Sequence, residues 1–157
     1  MKQLIILSGA DRVGKSTLAS KMEKAGVCRV VHHGPPPPNR PLFSDLRDDI
    51  ADWLDSGDPQ MVWDRAYVCS YCLNQPNVFE AILAFEVEFS HLNIRHIGVW
   101  ASWNKVARRH LEEIEEIGCI EPLVEYRERM ETHRSYYDRL RDFYTNVTMF
   151  PHEWANS

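Results

Sequence analysis

Apolar residues in this chain come in short blocks, and between the blocks apolar positions recur every three or four residues. The blocks are Lys2 to Leu7, Cys28 to His32, Gln60 to Trp63, Ile94 to Ala101 and Val147 to Phe150. Their length and near-continuous hydrophobicity predict parallel strands buried on both faces. Lys15 to Ala25 reads as a helix with Leu18, Ala19 and Met22 on one face and Gly26 as its stop. A second helix starts at Ser44 as N-cap, carries Asp45, Asp48 and Asp49 in its opening turns, aligns Leu46, Ile50, Trp53 and Leu54, and ends at Gly57. Tyr67 to Leu73 reads as a helix or loop-helix before the break at Pro76. Asn77 to His91 is an apolar helix suited to the core or to a homodimer face, and Asn104 to Ile117 is another helix. Pro122 opens a long helix that ends near Tyr144. Strands alternating with helices imply a parallel sheet with helices on both faces and right-handed crossovers.

The composition fits one domain. The chain has 157 residues, enough to bury a core, and we expect a single domain over 1–157. A formal net charge of -5 disfavours a nucleic-acid backbone as partner, so a small anionic substrate needs a focused cationic pocket. No segment has the length and hydrophobicity of a membrane span, and the first residues lead straight into a strand with no leader pattern; a cytoplasmic protein without membrane association is expected. Of the four cysteines, Cys69 and Cys72 form a lone C-x-x-C, and no second pair completes a zinc site; reduced, partly buried thiols are expected. His32 and His33 open the stretch HHGPPPPNRPL, whose prolines Pro35 to Pro38 favour a stiff extended loop at the carboxyl end of a strand.

The chemistry concentrates in Ser8 to Thr17, SGADRVGKST. Gly9, Gly14, Lys15 and Ser16 spell G-x-x-x-x-G-K-[ST] between a strand and a helix, the setting that a phosphate-binding loop requires. Backbone N–H groups from Gly9 through Val13 and Gly14 to Thr17 would face a polyphosphate, aided by the positive end of the helix dipole. Lys15 would reach the β- and γ-phosphates of ATP, and the Ser16 hydroxyl would ligate Mg²⁺. At the two free positions, Arg12 could stabilise charge on the transferring group as an internal arginine finger, and Asp11 points towards the acceptor.

Two further features extend the site. The strand MVWDR, Met61 to Arg65, ends in Asp64, placed to hold Mg²⁺ directly or through water; Arg65 would grip an acceptor phosphate. After the fourth strand come Arg108 and Arg109, in a region around 104–122 suited to a lid, although a solvated helix with i,i+4 charge pairs reads equally simply.

GADRVGKST, the later DR and the arginine-bearing helix resemble the thymidylate kinase family and its deoxynucleoside kinase relatives. The resemblance implies an α/β, three-layer P-loop kinase fold with a five-stranded parallel sheet flanked by helices. It makes Lys15 and Arg12 phosphate-stabilising, Ser16 the metal ligand, Asp11 a contact to the acceptor sugar, and Asp64 and Arg65 contributors at the metal and the acceptor phosphate. One departure stands out. The family usually has an arginine just after the second strand, where this chain has HHGPPPP and Arg40 is the nearest candidate.

The expected activity is ATP- and Mg²⁺-dependent phosphoryl transfer to a deoxynucleoside monophosphate. A nucleoside, or a hydroxymethylpyrimidine base within DNA, is the alternative acceptor, and a nucleotide-binding switch without an acceptor is a second alternative. Its GTPase version lacks the N-K-x-D motif that reads guanine. Phe43, Trp63, Tyr67 and Tyr71 are candidates to stack a base but equally suit core packing, and Pro151 to Trp154 would border the adenine.

Overall fold

A computed structural model describes residues 2–26, 28–33, 42–69, 79–117, 123–146 and 152–156. The elements are β1 (Gln3–Ser8), α1 (Lys15–Lys24), β2 (Arg29–His32), α2 (Leu42–Ser56), β3 (Gln60–Asp64), α3 (Phe79–Glu88), β4 (Asn93–Trp100), α4 (Trp103–Ile117), α5 (Leu123–Asn146) and β5 (His152–Asn156). All strand pairings are parallel, in the order β2-β3-β1-β4-β5, and helices flank the sheet.

The central strand is the most apolar. Leu4, Ile5, Ile6 and Leu7 are buried, with Ile5 opposite Val62 of β3 and Arg95 of β4. A central strand covered by helices on both faces of the sheet suits a continuous apolar run. Aromatic side chains join α2 and α3 to β3: Phe43 and Phe85 lie 5.3 Å apart between ring centroids, and Trp63 and Phe85 6.3 Å. Tyr137 of α5 donates its O–H to the Ala101 carbonyl at 2.8 Å, tying that helix to the end of β4.

Several boundaries differ from those the pattern predicts. Helix α2 begins at Leu42, so Ser44 lies inside its first turn and is not its N-cap. Strand β3 runs one residue further, to Asp64, because Asp64 still pairs with Leu7. The described part of the apolar 77–91 segment is helical only over Phe79–Glu88; the Leu92 N–H donates to the Phe89 carbonyl at 3.0 Å, turning the chain into β4. Ile82 and Phe85 of α3 enter the core, while Val87 is 73% exposed. The expected strand Val147 to Phe150 lies outside the described residues; the strand beside β4 is His152–Asn156, where a tail was expected. Among the described residues, no helix is long and apolar enough to cross a membrane.

Candidate active site

The strand order places the carboxyl ends of β1, β3 and β4 side by side, and the loop from Gly9 to Gly14 leaves from the middle one. Gly9 is fixed by crowding. A Cβ there would lie 2.7 Å from Val13 Cγ2 and 2.8 Å from the Val99 carbonyl oxygen, so the loop can pass over β4 only without a side chain. Gly14, with φ 99°, supplies the left-handed turn into α1. Val13 is buried beneath the loop as part of its hydrophobic anchor. Arg12 adopts φ 67°, a left-handed conformation that costs a non-glycine residue about 1 kcal/mol or more.

Lys15, the first residue of α1, is 5% exposed. Its Nζ donates to the Gly9 carbonyl at 3.0 Å and stands 4.0 Å from Asp64 Oδ1. Burial pulls the Lys15 ammonium below the usual lysine range, against the opposing pull of nearby anionic groups. The lysine therefore sits coiled against its own loop, with a charge that an incoming polyphosphate would stabilise.

Ser16 Oγ donates to Asp64 Oδ2 at 3.4 Å, and His32 Nδ1–H donates to the same oxygen at 2.8 Å. Asp64 Oδ1 is buried with no hydrogen-bond partner. A hydroxyl and a carboxylate with a spare buried oxygen form a hard, oxygen-only donor pair, so Ser16 and Asp64 fit Mg²⁺. Among the described residues there is no cluster of three or more His, Cys, Asp or Glu to hold a transition metal. Cys69 is buried, and Cys72 lies outside the described residues.

Arg65 follows β3 with φ 71°, again left-handed, and its guanidinium donates to Asp11 Oδ1. Burial alone would raise the Asp11 carboxyl, but Arg65 outweighs it and holds the group below the ordinary carboxylate range. His133 of α5 places Nδ1 3.7 Å from Asp11 Oδ2 and packs its ring, tilted by 34°, on His110 of α4, with ring centroids 4.3 Å apart. Burial, reinforced by His133, pushes His110 down to about 4, and burial likewise lowers His133. Arg12 pairs with Glu113 of α4, while Arg109 Nη1 donates to the Arg12 carbonyl at 2.7 Å. Helix α4 thus grips both ends of the residue nearest the open side of the loop.

The loop, the start of α1, Arg65 and Arg109 bound a cavity of about 670 Å³, which Asp64 does not line. Of the residues singled out in the sequence, Asp11, Arg12, Gly14, Lys15, Ser16, Thr17, Arg65 and Arg109 line it. Arg108 is exposed and does not, because the α4 face presented to the loop carries Arg109 and Glu113, one turn apart. Arg40 and Tyr71 lie outside the described residues. Trp63 and Tyr67 are fully buried and belong to the core; Phe43, half-buried, stacks on Tyr67 at 6.1 Å. The sequence pattern misses His110, His133 and Glu113. Arg109 and Glu113 share a helical face by their spacing, but nothing local links His110 to His133 on the next helix.

No protein-family model matches the chain, and no curated protein is significantly similar to it. Among solved structures it is similar to the YorR protein of Bacillus subtilis in complex with phosphorylated GDP, with 17% identity and a TM-score of 0.64 over 98% of this chain and 85% of that one. It is also similar to polyphosphate kinase 2 of Arthrobacter aurescens, at 15% identity and a TM-score of 0.58; the match covers 98% of this chain and 61% of that one. A third is deoxyadenosine kinase of M. mycoides with the products dCMP and dCDP bound, at 15% identity, a TM-score of 0.51, and coverage of 98% and 89%. At these identities the likeness is one of fold: this chain shares the α/β architecture, a parallel sheet flanked by helices, with these proteins, two of which are kinases.

Proposed function

We propose that the chain is a P-loop phosphotransferase that moves the γ-phosphoryl group of ATP to a nucleotide or nucleoside, with a deoxynucleoside monophosphate as the leading acceptor. One observation carries this reading. The loop of Gly9 to Ser16 shares its cavity with a cation from a different strand end, Arg65 after β3, which is paired with Asp11 of the loop. A site that only held a nucleotide would need the loop alone. The fold shared with two kinases supports the same reading.

In this scheme, the loop N–H groups and the α1 amino terminus bind the donor phosphates, and Lys15 exchanges the Gly9 carbonyl for phosphate oxygens. Arg12 and Arg109, on the open side, stabilise charge on the group in transfer. Arg65 orients the acceptor, and Asp11 fixes Arg65 and meets the acceptor's sugar. Mg²⁺ held by Ser16 and Asp64 would neutralise charge on the donor phosphates. Helix α4, tied to Arg12 through Glu113 and Arg109, is placed to border the group in transfer.

The test is ADP release from ATP·Mg²⁺ in the presence of each deoxynucleoside, each deoxynucleoside monophosphate and hydroxymethylated DNA. We expect at least one acceptor to accelerate ADP formation well above the rate without acceptor. If none does, the proposal fails.

A further inference from the structure

Arg65 stands in a left-handed backbone conformation, φ 71°, that a residue with a side chain adopts only when its surroundings impose it. Both flanks of the residue are held. Its N–H donates to the Leu7 carbonyl at 3.1 Å, and its own carbonyl accepts the Nδ1–H of His33 at 2.6 Å. The opposite nitrogen of that ring, Nε2, lies 2.8 Å from Asp49 Oδ2 of α2. Each ring nitrogen thus faces an oxygen. The His33 backbone N–H donates to the Asp64 carbonyl at 3.0 Å, and the ring meets Trp63 edge-on at 5.6 Å. Three elements, β2, β3 and α2, are therefore tied together at the single turn that delivers Arg65 to the cavity.

We infer that His33 is a positioning residue for the acceptor side of the site. Its ring, braced by Asp49, clamps the Arg65 carbonyl and keeps the turn in the conformation that sets the Arg65 guanidinium on Asp11. A glycine or asparagine at position 65 would take this conformation with less help, but neither carries a guanidinium. An arginine there needs the clamp. Where the sequence places histidines instead of a phosphate-gripping arginine, His33 acts on the acceptor through Arg65. This inference rests on the proposed kinase reading only in taking Arg65 as the group that meets the acceptor.

The experiment compares His33→Ala, Asp49→Ala, Arg65→Ala and the His33→Ala/Arg65→Ala double variant with the full wild-type chain. Amide hydrogen exchange is read at Arg65, and KM for the best acceptor of the panel is read alongside KM for ATP. Loss of the clamp should speed Arg65 exchange about tenfold or more in His33→Ala and Asp49→Ala, the scale of one lost hydrogen bond, while Leu4 to Ile6 of β1 keep their protection. Acceptor KM should rise by a similar factor of about ten with KM for ATP unchanged, and His33→Ala should add nothing once Arg65 is alanine. Unchanged Arg65 exchange in both single variants overturns the inference. So does full additivity in the double variant, or an equal rise in both KM values. If the wild-type chain phosphorylates no acceptor, the kinase reading falls while the exchange data still decide the role of His33.

Discussion

Asp11 and Lys15 sit four residues apart, yet their environments push them in opposite senses: Arg65 holds the carboxylate ionised, whereas burial weakens the charge on the ammonium. Removing the lysine thus separates catalysis from folding. Lys15→Ala should abolish ATP turnover while leaving Tm unchanged or slightly raised, because a desolvated charge is lost with the side chain; steady-state assays and a thermal melt check both halves. Arg65→Ala leaves Asp11 without its cation and should raise KM for an anionic acceptor about tenfold or more, with KM for ATP little affected, as acceptor titrations would show. His110 sets a pH dependence. The unfolded imidazole takes a proton near pH 6.5, whereas the folded one does not until about 4, so within that window the unfolded state binds more protons. Stability should fall as pH drops from about 6.5 to about 4, and His110→Gln should flatten the profile of urea midpoint against pH. Residue identities in the two short motifs were legible from the sequence because their chemistry is local. The pairing of His110 with His133, and of His33 with Asp49, was not, since each joins residues on separate elements whose helical or strand pattern carries no mark of the partner.

At the scale of elements, the tightest constraint is the passage of the phosphate loop over β4. Gly9→Ala would drive a methyl into Val13 and the Val99 carbonyl; we expect a loss of about 1–3 kcal/mol in urea denaturation, together with weaker ATP binding by calorimetry. Four strands and most helices were legible within a residue or two, since the strands are short apolar runs and the helices carry one apolar face; β2, expected to be buried on both faces, is instead an edge strand with Arg29 and His32 exposed. Errors arose where tertiary contacts decide. Asp64 reads as the residue after a strand, but pairing with Leu7 extends the ladder to it. Ser44 has the chemistry of an N-cap, yet α2 starts two residues earlier. In α3 Val87 is exposed while Phe85 is buried, and Glu80, seven residues before Val87, marks the same outward face. His152–Asn156 has only Trp154 and Ala155 as apolar residues and borders only β4, so it lacks the continuous hydrophobicity by which the inner strands are found.

For the whole molecule, the site depends on long-range assembly: Asp11, Arg65 and His133 are brought together from the first, middle and last parts of the chain. Fold neighbours at 15–17% identity share this architecture and not the sequence around it, as expected when many apolar sequences satisfy one packing scheme. The net charge of -5 leaves the cations that matter concentrated around one cavity, which suits capture of a polyanionic small molecule. Transfer of a labelled γ-phosphoryl group tests the central claim most directly. With γ-labelled ATP, Mg²⁺ and the acceptor panel, the account predicts label on an acceptor molecule in the wild-type chain and on none with Lys15→Ala. Label released only as inorganic phosphate, whatever acceptor is present, would contradict it.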